Sequence, residues 1–120
     1  MKNEINQVRL CGRVTIPEKI HICLTTHGKI MYFELKTCEL WNHGTRKHFE
    51  YHNIVLRDNG SYRMASTFGN LVIPGSLLKI TGRLRTRIIR DLRLGSRVIT
   101  EIDANRIDEA AAAPAPEADV

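Results

Sequence analysis

Apolar and polar residues alternate with a period of two along most of this chain, the pattern of half-buried β-strands. In Val8–Val14, the residues Val8, Leu10, Gly12 and Val14 alternate with Arg9, Cys11 and Arg13. This predicts a first strand, and Gly12 inside it predicts a bulge or sharp bend. Pro17 and Glu18 mark a turn, residues 20–24 a short continuation of that strand, and His27-Gly28 a second turn. Residues 30–41 predict the second strand, with Met31, Phe33, Leu35 and Thr37 facing one way and Tyr32, Glu34 and Lys36 the other. A polar loop with Asn42, His43 and Gly44 leads into a third strand at residues 49–57. The rhythm then changes. Tyr62, Ala65, Phe68 and Leu71 recur at helical spacing, and Pro74-Gly75 closes the segment, which predicts one short helix. Residues 77–89 predict the fourth strand, residues 90–97 a basic loop, and residues 98–107 the last strand.

Five strands with one short helix between the third and fourth is the layout of an all-β oligonucleotide/oligosaccharide-binding (OB) barrel. Residues 1–107 are expected to form that single domain. From residue 108 on, alanine, proline and acid alternate with nothing to bury, so residues 108–120 are expected to be a disordered tail. The length, 120 residues, suits one core, and no apolar run is long enough to cross a membrane. The whole chain carries +5 from 18 Lys and Arg against 13 Asp and Glu. Residues 108–120 hold four acids and no Lys or Arg, so the body is more basic than the total suggests. A basic body with an acidic tail points to a polyanionic partner. Cys11, Cys23 and Cys38 are odd in number and lack CxxC spacing, so they read as three buried thiols in a reducing cytosol. Cys38, His43, His48 and His52 match no tetrahedral metal motif, and no metal or cofactor is expected.

The fourth strand carries the strongest chemical signal. Residues 79–97 contain Lys79, Arg83, Arg85, Arg87, Arg90, Arg93 and Arg97 against one acid, Asp91. On a strand, Arg83, Arg85 and Arg87 share a face and rise about 7 Å per step, close to the phosphate spacing of an extended single strand. A face built only for solubility would mix its signs. Aromatic residues are only 6% of the chain, so the positions of the rings matter. Trp41 ends the second strand. Tyr51 shares a face with Asn53, Val55 and Arg57, opposite His52, Ile54 and Leu56. Exposed rings beside arginines offer stacking platforms to bases, with core packing the competing reading for Tyr51. Phe33, Phe49 and Phe68 read as core. His52, pointing away from Tyr51, reads as core or subunit contact. No nucleophile elbow, HExxH, P-loop or paired carboxylate is present, so catalysis is not expected.

Over residues 6–107 the chain resembles the bacterial single-stranded DNA-binding protein (SSB) family. The resemblance rests on N-Q-V-R-L-C-G-R-V near the start, C-E-L-W at 38–41 and F-E-Y-H-N-I-V-L at 49–56. It continues in G-S-L-L-K-I-T-G-R-L-R-T-R at 75–87 and R-V-I-T-E-I at 97–102. It implies an OB fold, a homotetramer, and sequence-independent wrapping of single-stranded DNA in replication, recombination and repair. Trp41 falls on the family's aromatic after the second strand, and Tyr51 falls where the family usually has Trp. Arg85 and Arg87 fall on the L-R-T-R basics, and His52 on a histidine near the subunit interface. The expected DNA contacts are therefore Trp41, Tyr51, Arg57, Arg83, Arg85, Arg87, Arg90, Arg93 and Arg97. Arg57 stands where the family has an aromatic, and Ile88 and Ile89 stand where it would supply another stacking Trp. Charge or guanidinium stacking from Arg57 would replace a ring. The end, P-E-A-D-V, lacks the family's acidic Pro-Phe tip that recruits partner enzymes. Cytoplasmic, nucleoid-associated placement is expected, with replication or repair proteins as further partners. A dimeric primosomal replication protein of the PriB type, an RNA-binding role, and a protein-interaction module with a basic face stay open as alternatives.

Overall fold

The computed structural model of the chain describes residues 3–110. Its strands are β1 (Val8–Val14), β2 (His21–Thr25), β3 (Gly28–Trp41), β4 (Arg46–Asn59), β5 (Tyr62–Arg63), β6 (Leu77–Asp91) and β7 (Gly95–Glu109). The helix α1 (Met64–Phe68) is followed by a 3-10 turn at Gly69–Leu71, and another 3-10 turn occupies Pro17–Lys19. The strands form one mixed sheet in the order β2-β3-β1-β6-β7-β4-β5, with a further pairing of β3 to β4. All neighbours are antiparallel except β4 and β7, which run parallel where Ile54 meets Ile102 and Val55 meets Asp103.

This corrects the expected five-stranded barrel with a helix between the third and fourth strands. The sheet has seven strands, and the helix lies between the fifth and sixth. Two short segments account for the difference. Residues 21–25 do not continue β1 but fold back on β3 as a separate strand, over a turn closed by Gly28 at φ 131°. After β4, Tyr62 and Arg63 pair with Asn59 and Asp58 before the helix begins. The helix is also shorter than the periodicity from Tyr62 to Leu71, because its first residues are taken up by that strand pair and its last by a 3-10 turn.

The expected basic loop at residues 90–97 is likewise mostly strand. β6 and β7 stay paired out to Asp91 and Gly95. The tip is tied by the Asp91 carboxylate, which accepts the N–H groups of Arg93 (2.7 Å) and Leu94 (3.1 Å). These two donors, Arg93 first, hold that carboxyl below its usual range. Beyond Ile107, β7 continues through Asp108 and Glu109, which face Lys79 and Leu78. The expected tail from residue 111 on lies outside the described residues.

One core sits on the side of the sheet that carries Phe33, Leu35, Ile54, Leu56, Leu78, Ile80, Ile102 and Ile107, closed by Met64 and Ala65 of α1. The alternation read from β3 and β4 is the alternation that packs it: Met31, Phe33 and Leu35 are buried while Tyr32, Glu34 and Lys36 are half-buried. The thiols are corrected. Cys11 and Cys23 are exposed and Cys38 is half-buried, because Cys11 points outward beside Arg9 and Arg13 and β2 is an uncovered edge strand.

Gly12 allows β1 to lie against β3, since a Cβ there would collide with the Lys36 carbonyl, a backbone atom that cannot swing aside. Gly12→Ala is therefore expected to cost about 2 kcal/mol of unfolding free energy by overpacking. Urea denaturation measures it, and an unchanged midpoint would show that β1 moves without penalty. Asp58, at the end of β4, is also buried. Its carboxylate accepts N–H groups from Lys29 (3.1 Å) and Ser66 (2.9 Å), together with the Ser66 hydroxyl, and thereby joins β3, β4 and α1.

Candidate nucleic-acid interface

Two long hairpins, β3–β4 and β6–β7, become exposed toward their turns. Register decides which side chains they show together. Across β3–β4, Phe33 meets Ile54 and Leu35 meets His52 on the core side. On the outer side Ile30 meets Arg57, Tyr32 meets Val55, and Lys36 meets Tyr51. β7 joins this surface through Val55 and Asp103, and Asp103 in turn faces Arg83 of β6. Alternation along β6 and β7 then puts Arg85, Arg87 and Arg97 on the same outer side. Tyr51, Arg57, Arg83, Arg85, Arg87 and Arg97 thus share one face. Arg90, paired with Ser96, lies on the reverse face of the arm, and Arg93 sits in its turn.

The arginine ladder is not bare. Arg85 reaches Asp103 at 3.3 Å and Arg83 reaches the same carboxylate at 3.8 Å. The Arg87 Nε donates to Glu101 at 3.0 Å, and its guanidinium lies 5.2 Å from the centre of the Tyr32 ring. Glu101 is 2% exposed, so Arg87 is the counter-charge of a buried acid. Three guanidinium groups therefore meet two carboxylates. By contrast, Arg90, Arg93 and Arg97 are exposed and form no ion pair among the described residues. At the tip of the β6–β7 arm these three arginines meet one acid, Asp91, whose carboxyl also feels the Arg97 charge, so the tip carries a net positive charge.

Two shallow grooves flank the Arg85–Asp103 pair on the outer face. One is lined by Tyr32, Glu34, Asn53, Arg87, Ile99 and Glu101. The other is lined by Arg57, Asn59, Tyr62, Arg83, Asp103 and Asn105. Arg57 is half-buried, and its Nε is buried without a hydrogen-bond partner among the described residues. Tyr51 is 59% exposed. Phe49, read as core, lies instead on the outer side and is half-buried, with the Lys36 ammonium 5.0 Å from its ring centre.

Trp41 does not join Tyr51. Odd residues of β3 share a face with even residues of β4, so Trp41 lies on the opposite face of the hairpin, beside His48. The indole and imidazole stack with centroids 3.9 Å apart and planes within 10°. His52 faces away from Tyr51, as its strand position requires. It is half-buried, and its Nε2 lies 2.9 Å from the Thr37 hydroxyl.

Sequence reasoning missed Asp103, Glu101 and His48. The signal for the first two was present. A hairpin that turns between residues 91 and 95 sets Arg85 opposite Glu101 and Arg83 opposite Asp103, and reading residues 90–97 as an open loop hid that register. Nothing local pairs His48 with Trp41, since the contact runs diagonally across two strands.

An extended, basic, ring-bearing sheet face flanked by arginine-tipped hairpins can track a phosphate backbone and stack bases. The chain is similar to solved structures that include the Plasmodium falciparum SSB in complex with ssDNA. That structure is 25% identical, with a TM-score of 0.67, over 90% of this chain and 95% of that one. The wild-type single-stranded DNA binding protein from Thermus aquaticus is 27% identical, with a TM-score of 0.68, over 89% of this chain and 50% of that one. A deletion mutant of the Thermus protein is 28% identical, with a TM-score of 0.67, over 89% and 51%. The chain thus spans about half the length of the Thermus protein. No curated protein sequence matches it. The profile of the single-strand binding protein family matches residues 5–109, which take in all of the described strands, and on that match the chain belongs to the single-strand binding protein family.

Proposed function

We propose that this chain binds and protects single-stranded DNA without regard to sequence, as its family does, and that it catalyses nothing. The observation that carries the reading is the shared outer face of Tyr51, Arg57 and Arg97, running between two exposed hairpins and ending in the arginine-rich tip of β6–β7. The DNA backbone runs along the arm tip, where Arg90, Arg93 and Arg97 release counterions, and Arg57, Arg83 and Arg85 line the path toward Tyr51. Arg87 contributes chiefly by holding Glu101. Trp41 takes a base on the reverse face of the β3–β4 hairpin, so a strand that meets both rings passes around that hairpin.

Oligomerisation is typical of the family. A homotetramer is the assembly we propose, with His52 near a subunit contact and a dimer as the alternative. Replication, recombination and repair are the settings this ligand implies, in the cytoplasm and on the nucleoid.

Titration of Trp41 fluorescence with poly-dT at several salt concentrations, with native mass on the same sample, tests the proposal. Strong salt-dependent quenching of a tetramer is the expected result. A dimer would replace the tetramer. Absence of both quenching and complex mass would remove single-stranded DNA as the ligand. Each of Arg90→Ala, Arg93→Ala and Arg97→Ala is expected to reduce the slope of log affinity against log salt by about 0.7, the value for one phosphate on a single strand. Trp41→Ala is expected to cost about 2 kcal/mol of binding with little change in slope. Unchanged slopes in all three arginine variants would move the backbone off the arm.

A further inference from the structure

We infer that His48 is the residue that positions Trp41 for stacking, so that the tip of the β3–β4 hairpin is a preorganised platform for one nucleobase. The imidazole covers one face of the indole with the two rings nearly parallel, at 3.9 Å and 10°, while Trp41 remains 48% exposed. One indole face is therefore occupied from within the chain and the other is open. The imidazole is itself fixed, because its Nε2 lies 2.6 Å from the Glu50 Oε2. A carboxylate can only accept, so the proton sits on Nε2 and the ring cannot turn without losing that bond. The backbone on the tryptophan side is pinned as well. The Gly44 N–H donates to the Trp41 carbonyl at 3.2 Å, and the Thr45 N–H and hydroxyl donate to the Asn42 carbonyl at 3.2 and 2.7 Å.

The surrounding charges select what this platform takes. On the same hairpin face stand Glu39, directly across from His48, Glu50, and Arg46, directly across from Trp41. Two carboxylates against one guanidinium leave the ring pair in a net negative setting, which favours an uncharged base over a phosphate at the indole itself. An exposed tryptophan free to change rotamer would lose that freedom when a base stacks. Holding it against His48 removes most of the cost before binding. Glu50 and His48 are thus positioning residues, and only Trp41 touches the base. Stacking of this kind reads no hydrogen-bonding edge, so it carries no sequence preference.

The inference rests on the reading that Trp41 meets DNA, and the experiment separates the two. Affinity of the full chain for labelled oligo-dT is measured by anisotropy for wild type, Trp41→Ala, His48→Ala and His48→Phe in one buffer at several salt concentrations. Trp41 is the one tryptophan of the chain, so its emission reports on the stack without interference. His48→Ala is expected to lower affinity about fivefold at an unchanged salt slope, and to shift the emission of the free protein to the red. His48→Phe, which restores a flat ring, is expected to recover both. Wild-type affinity in His48→Ala beside weakened Trp41→Ala would overturn the positioning role and leave the DNA reading standing. Failure of His48→Phe to rescue would overturn it too, since the lost element would not be the ring. Wild-type affinity in Trp41→Ala would take Trp41 off the DNA path, and the inference with it.

Discussion

Arg87→Ala is expected to lower the free energy of unfolding by about 3 kcal/mol while leaving the salt dependence of DNA binding nearly unchanged. The reason is Glu101. Its carboxylate is buried, and the Arg87 Nε, 3.0 Å away, is its ion-pair partner. Removing one member of such a pair strands the other charge out of water, which costs about 3–5 kcal/mol where both are fully buried. Arg87 is partly exposed, so the low end applies. Removing both charges is far cheaper, so Arg87→Leu combined with Glu101→Leu is expected to recover most of the loss. Urea unfolding measures stability, and oligo-dT titration at three salt concentrations measures the slope. A stable Arg87→Ala protein whose slope falls by a full phosphate would instead make Arg87 a DNA contact.

The second large effect is expected at Asp58. Burial by itself raises the pKa of this carboxyl. It is outweighed by hydrogen bonds from the Ser66 hydroxyl, the Ser66 N–H and the Lys29 N–H, and by the Arg63 charge, which together lower it to about 2. A carboxyl depressed in the folded state stabilises the fold above its unfolded pKa and ceases to do so as pH falls through its folded one. Wild-type stability should therefore drop between about pH 4 and pH 2 by a component that Asp58→Ala lacks. At pH 7 the variant is expected to lose about 3 kcal/mol, because two backbone donors and a hydroxyl are left without their acceptor. Parallel stability curves for the two proteins across that acid window would show that Asp58 is not the titrating group. Gly28 belongs to the same construction: a Cβ there would lie 2.7 Å from the Asp58 Cβ, at a φ that favours glycine.

These two sites show which parts of the molecule were legible in the residues. Alternation is a property of a single strand, set by the backbone within a few bonds. Met31, Phe33 and Leu35 could therefore be separated from Tyr32, Glu34 and Lys36, and Tyr51 from His52, without any partner strand in view. At Gly12 the same local logic predicted a bulge or bend, whereas β1 pairs straight through that position and the glycine serves the close approach to the Lys36 carbonyl, with the bulge lying at Thr81/Gly82 instead. That logic failed where the outcome depended on what lies across a hydrogen bond. Residues 21–25 became a separate edge strand by pairing with β3, and residues 90–97 became the end of an arm because β6 and β7 kept their register. Cys11 and Cys23 were read as buried from residue type, but their strands present those positions to solvent.

The faces of the long strands, the basic balance of the body and the run of residues that marks the family are written in the residues themselves. Which charges pair and which rings act together is settled only in three dimensions. Coulomb energy and ring contact depend on separation in space, and hairpin register sets that separation between residues far apart in the chain. It brings Glu101 and Asp103 to the arginine ladder, sets Arg90, Arg93 and Arg97 around the single acid Asp91 at the arm tip, and turns Trp41 away from Tyr51 onto His48.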